Sequence, residues 1–166
     1  MSRTFKEANQ VTNEMYKQLS QIGKDLVNKT SEELDKTIKQ LENNIEKIQD
    51  SDLKKYLLKL SVQIYALGDK VEHADFKRDC ANAILKETIA TEFNSASGAV
   101  AAKQNTALLN TSQEMAVNLL YNLVADNLKT KLQLAQKVLD SIKSVMISRN
   151  AEQKIQNQLG YGVDYE

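Results

Sequence analysis

Leu53–Leu85 reads LKKYLLKLSVQIYALGDKVEHADFKRDCANAIL, and this stretch decides the fold. Leu53, Leu57, Leu60, Ile64, Leu67, Val71 and Ala74 recur at steps of four and three, and the same rhythm reaches Arg78, Ala81 and Leu85. Only a helix brings residues at that spacing onto one face, so the stretch predicts a long helix with a narrow apolar seam. Gly68 lies inside it, where an interior glycine costs roughly 1 kcal/mol against alanine and points to close helix approach or a slight bend.

The same periodicity extends outward on both sides. Tyr121, Ala125, Leu128, Leu132, Ala135, Leu139, Ile142 and Met146 form a second long seam, and the next position in its rhythm is Arg149. Between the seams, EFNSASGAVAAKQNT carries few helical signals at its start and contains Gly98, a residue suited to the turn after a helix. Thr111 followed by Glu114 has the form of a capping box that would open the last helix. Upstream, Thr30 and Glu33 form another such box, after which Leu34, Ile38, Leu41, Ile45 and Ile48 keep strict four-three spacing.

These signals predict an all-α chain: a long antiparallel helical hairpin with two shorter N-terminal helices and coiled-coil-like seams. The expected divisions are an N-terminal helix over 1–29, a heptad helix over 30–50, a hairpin over 51–158 turning near 95–111, and a tail over 159–166. The chain contains no proline, so nothing removes a backbone donor within these runs. Narrow seams bury little per chain, which makes a homo-oligomer the expected state, with Leu34, Ile38, Leu41, Ile45 and Ile48 as the partner seam.

Chemistry has few footholds. His73 and Cys80 share a helix face but fall short of the three or four ligands zinc needs, so no metal and no cofactor is expected. Cys80 has no second histidine beside it, and no glycine-rich loop precedes a helix to cradle phosphate. These missing constellations predict a protein that is not an enzyme and has no catalytic residues. MSRTFKEANQ lacks the apolar run of a signal peptide, and no window approaches the roughly 20 apolar residues of a membrane span. With one cysteine and no such segment, the expected location is the cytoplasm of a bacterial host or a virion, not secretion and not a membrane.

Lys plus Arg number 22 and Asp plus Glu number 22, so any nucleic-acid binding must be local rather than global. Along the last helix Lys129, Lys143 and Lys154 fall close together by helical angle, and with Arg149 they form a candidate ridge for single-stranded DNA. Arg149 itself admits three roles: a staple across the hairpin to Asp50 or Asp52 near Tyr56, an oligomer contact, or a phosphate contact.

KKYLLKLSVQIYALGDKVEHADFKRD, with Tyr56 and Tyr65, is followed by a helix end at ATEFNSASG, a polar stretch, and VLDSIKSVMISRNAEQKI with Leu139, Ile142 and Arg149. In this order the chain resembles bacteriophage recombination mediators of the UvsY kind and related helical phage proteins. The resemblance implies an all-helical ring-former that binds single-stranded DNA and helps load a recombinase onto strands coated by single-strand-binding protein. Rival expectations are a structural or adaptor protein of a phage particle, partnering phage structural proteins, and a protein-binding inhibitor, each acting through heptad faces.

Overall fold

The computed structural model describes residues 5–42, 45 and 47–160, with side chains over 13–42, 45 and 47–158. Among these residues there are four helices and no strand: α1 (Phe5–Glu42), α2 (Asp50–Ser95), α3 (Val100–Asn110) and α4 (Ser112–Gly160). The all-α expectation therefore holds. No helix among the described residues is long and apolar enough to cross a membrane.

Three boundaries differ from the sequence reading. The expected break at 29–30 is absent, and α1 runs straight through it. Thr30, read as a cap, instead donates its hydroxyl to the carbonyl of Leu26 at 2.7 Å, which is how a threonine is satisfied in mid-helix. The heptad helix expected to reach residue 50 stops at Glu42. The turn expected over 95–111 contains a helix of its own, α3, preceded by Gly98 at φ +108, the left-handed region that favours glycine.

Thr111 is the single residue between α3 and α4, and it does not act as the cap of a box with Glu114. Its N–H and its hydroxyl both donate back to the Ala107 carbonyl, at 3.1 and 2.9 Å, and its own carbonyl accepts from Met115 N–H at 3.0 Å. A fully buried threonine satisfied in this way closes one helix and opens the next. Of the expected tail, residues 159 and 160 complete α4, while 161–166 lie outside the described residues.

The chain divides into two compact units, each drawing on α1, α2 and α4. The first comprises Met1–Thr30 and Gly68–Thr130. Its buried positions are mostly small: Ala74, Ala81, Ala107 and Ala125, with Val27, Val71 and Leu128. Gly23 belongs to this pattern, because a Cβ placed there would rest 3.7–3.8 Å from Leu120, Leu123 and Val124 of α4. Helices lined with small residues approach closely and bury area through backbone proximity rather than side-chain bulk. Glu92 accepts at 2.6 Å from Asn110, the last residue of α3 and two before α4 begins, and Asp75 pairs with Lys129 of α4 at 2.8 Å, so α2 and α4 run antiparallel within this unit.

The second unit comprises Ser31–Leu67 and Lys131–Glu166. Its core is aliphatic, with Leu34, Leu41, Leu53, Leu60, Leu67, Ala135 and Ile142 buried, and Thr37 buried among them with its hydroxyl on the Glu33 carbonyl at 3.0 Å. Gln63 of α2 reaches the Glu33 carbonyl of α1 at 3.2 Å. On α1's outer face Lys36 bonds Glu32 at 2.9 Å and Glu33 at 3.0 Å, which holds the Glu32 carboxyl below and the Lys36 amine above their usual ranges. Gly68, the first α2 residue of the other unit, where close approach was the simpler expectation, has open space where its side chain would stand.

Candidate functional site

Arg149 is part-buried in the second unit and reaches the connection between α1 and α2. Nη1 donates to the Ile48 carbonyl at 2.8 Å and to Asp50 Oδ1 at 3.1 Å, while Nη2 donates to the Ile45 carbonyl at 3.1 Å. The guanidinium fork suits this task, since its fixed N–H directions engage carbonyls and a carboxylate at once. Among the roles open to it from sequence, the staple to Asp50 is present. Asp52 takes another partner, Lys55, at 2.9 Å.

The other candidate DNA residues are dispersed. Lys129 lies in the first unit, where it forms an ion pair with Asp75, and Asp75 also forms one with Arg78 at 2.8 Å. Lys143, Arg149 and Lys154 lie in the second. Lys143 pairs with Asp140 at 3.1 Å one turn away, and Lys154 stands exposed. Three of the four cations thus sit against carboxylates, which lowers the positive potential each presents to phosphate.

Sequence reasoning missed a polar cluster in the second unit. Lys131 of α4 donates to Asp35 and, at 2.7 Å, to Ser31 of α1, and Ser31 donates in turn to Asp35 at 3.0 Å. Ser31 is 2% exposed, so the lysine satisfies a hydroxyl that water barely reaches, beside the half-buried Asp35 carboxylate. The only local signal was the four-residue spacing of Ser31 and Asp35; Lys131 lies 96 positions away in sequence from Asp35.

The expected partner seam is partly enclosed by the chain. Leu34 and Leu41 are buried, while Ile38, Ile45 and Ile48 are half-buried. Leu34, Ile38, Leu41 and Ile45 line one wall of a groove of about 530 Å³, whose α4 wall carries Leu134 and Val138 between Lys131 and Ser141. Lys131 meets Asp35 and, further along α4, Arg149 meets the Ile45 carbonyl just past α1, so α1 and α4 run parallel in this unit.

The first unit has its own groove, about 500 Å³, between α2 and α4. Phe76, Cys80 and Ile84 line one side at four-residue spacing, and Gln113, Val117 and Tyr121 line the other at the same spacing. Glu114 borders it with Oε2 buried and lacking a hydrogen-bond partner. Cys80 and His73 are exposed, and no group of three or more His, Cys, Asp or Glu side chains among the described residues is placed to hold a metal ion. No known protein family, curated protein or solved structure matches the chain.

Proposed function

We propose that this chain is a non-enzymatic helical protein whose activity is self-assembly and the docking of protein partners through apolar helix faces, as a phage structural or accessory component. The observation that carries the reading is the exposure of large apolar side chains on helices whose other faces are already buried: Leu58 is 69% exposed, Val62 61% and Tyr65 75%, all on one side of α2. Scattered apolar residues are ordinary on a protein surface, but an aligned set opposite a filled core marks a contact face. Sizing by light scattering tests it. Assembly through apolar faces survives high salt, because salt screens charge pairs and not apolar contact.

A second reading, the single-stranded-DNA-binding recombination mediator, draws support from the second unit's α4. There Lys131, Lys137, Lys143, Arg149 and Lys154 outnumber Asp140 and Glu152. On this reading affinity for an oligonucleotide falls linearly with the logarithm of salt, and Lys143→Glu with Lys154→Glu abolishes it. Absence of binding at low salt counts against the mediator and leaves the assembly reading standing.

A further inference from the structure

Two surfaces left uncovered in the single chain have matching chemistry. The groove of the first unit is about 12 Å long, taking 1.5 Å per residue over Phe76–Ile84 and Gln113–Tyr121. That is two helical turns. Its apolar walls stay open to water, with Phe76 65%, Ile84 56% and Val117 47% exposed. Between them Glu114 holds a carboxylate oxygen that is shielded from water and has no donor. The carboxylate sets a negative charge at the border of an apolar groove, so whatever fills the groove gains by bringing a cation with it.

The second unit presents the complementary shape. Leu58, Val62 and Tyr65 stand at i, i+4 and i+7 on α2, a strip about 10 Å long on a face turned away from the buried Leu53, Leu60 and Leu67. Lys55 continues the strip one turn before Leu58, with its side chain 79% exposed, and Lys59 is exposed beside it. Lys55 already bonds Asp52, yet an ammonium has three donors and two remain.

We propose that the α2–α4 groove of one copy receives the Leu58–Val62–Tyr65 strip of a second copy, with Lys55 or Lys59 placed against the Glu114 carboxylate. This deepens the self-assembly reading and rests on it. The fit is a helix laid into a groove between two others, read through anchors at i, i+4 and i+7. Charge sets the orientation: Lys77 on the α2 wall repels an incoming lysine, which therefore enters on the α4 side, where Glu114 lies. Because groove and strip are different surfaces, the contact is head to tail, and each copy keeps one of each for the next.

The test uses two full-length variants altered at exposed positions, Leu58→Glu/Val62→Glu in the strip and Ile84→Arg/Val117→Arg in the groove, each checked for native helicity by circular dichroism. The proposal expects the unaltered chain to assemble and each variant alone to have the mass of one chain, 18.7 kDa. Mixed in equal amounts the variants should give a species of about twice that mass and no larger, since one good groove and one good strip remain. Glu114→Gln should weaken assembly of the otherwise unaltered chain by about tenfold, the scale of one charge-assisted hydrogen bond. Variants that still assemble would overturn this interface while sparing self-assembly, and a mixture that stays monomeric would overturn its head-to-tail form. An unaltered chain that is monomeric at every concentration would remove both the interface and the self-assembly reading, leaving the groove to a foreign basic helix.

Discussion

Replacing Arg149 with methionine keeps most of the side chain's length and removes its donors to Ile45, Ile48 and Asp50. Two part-buried carbonyls then lose their partner, and the expected loss in urea unfolding is about 1–3 kcal/mol. Asp50→Asn should cost less, because both carbonyl bonds persist. Equal effects from the two substitutions would contradict the view that the carbonyls are the main targets. Oligonucleotide affinity, if any is measured, should be unchanged by Arg149→Met. Of this arrangement the sequence revealed the guanidinium at the seam's end and its carboxylate partner, both of which are side-chain features. The carbonyl acceptors were not legible, since a backbone oxygen is present at every position and only the path of the turn selects Ile45 and Ile48. The cluster of Lys131, Asp35 and Ser31 was hidden for a related reason: Ser31 and Asp35 share a helical spacing, but the lysine that joins them comes from another helix.

At the scale of the helix, the two faces of α2 predict opposite outcomes for neighbouring leucines. Leu60→Ala removes a side chain with no solvent exposure and should cost about 2–5 kcal/mol, as core truncations do. Leu58→Ala, two residues away and 69% exposed, should stay within about 0.5 kcal/mol when unfolding is followed at high dilution. Similar losses at both positions would mean that α2 is not oriented as described. The glycines give a second pair. Gly68 faces open space and Gly23 has room for a Cβ at ordinary contact distance, so Gly68→Ala and Gly23→Ala should each stabilise the chain by about 0.5–1 kcal/mol in thermal or urea unfolding. A destabilised Gly68→Ala would show that the position needs its glycine after all. The seams from Leu53 to Ala81 and from Ala125 to Ile142 were legible because burial on one helix face writes itself directly into the 3.6-residue period. Helix ends were less so. Thr30 with Glu33 has the spacing of a capping box, yet a threonine can equally bond the carbonyl four residues back, and nothing after it forces the chain out of the helix. The alanine-rich α3 has no broad apolar face to announce it, and Gly98 with its serine neighbours marked the turn that precedes it.

The whole molecule combines a small-residue core in one unit with a leucine core in the other, and each unit leaves an apolar groove beside its filled interior. Composition had suggested that narrow seams bury too little in a single chain, and the exposed sides of α2 and α4 give that suggestion named residues: Leu58, Val62, Tyr65, Phe76, Ile84 and Val117. Three of the four candidate DNA-binding cations, by contrast, are paired within the chain, Lys129 with Asp75, Lys143 with Asp140 and Arg149 with Asp50. On the proposed reading, these pairs and the open apolar faces favour a protein partner over a polyanion. Light scattering over a dilution series in high salt tests that claim most directly. The account predicts a mass that is a multiple of 18.7 kDa, falls toward 18.7 kDa on dilution and is insensitive to salt, whereas a mass of 18.7 kDa at every concentration, or assembly that vanishes as salt rises, would contradict it.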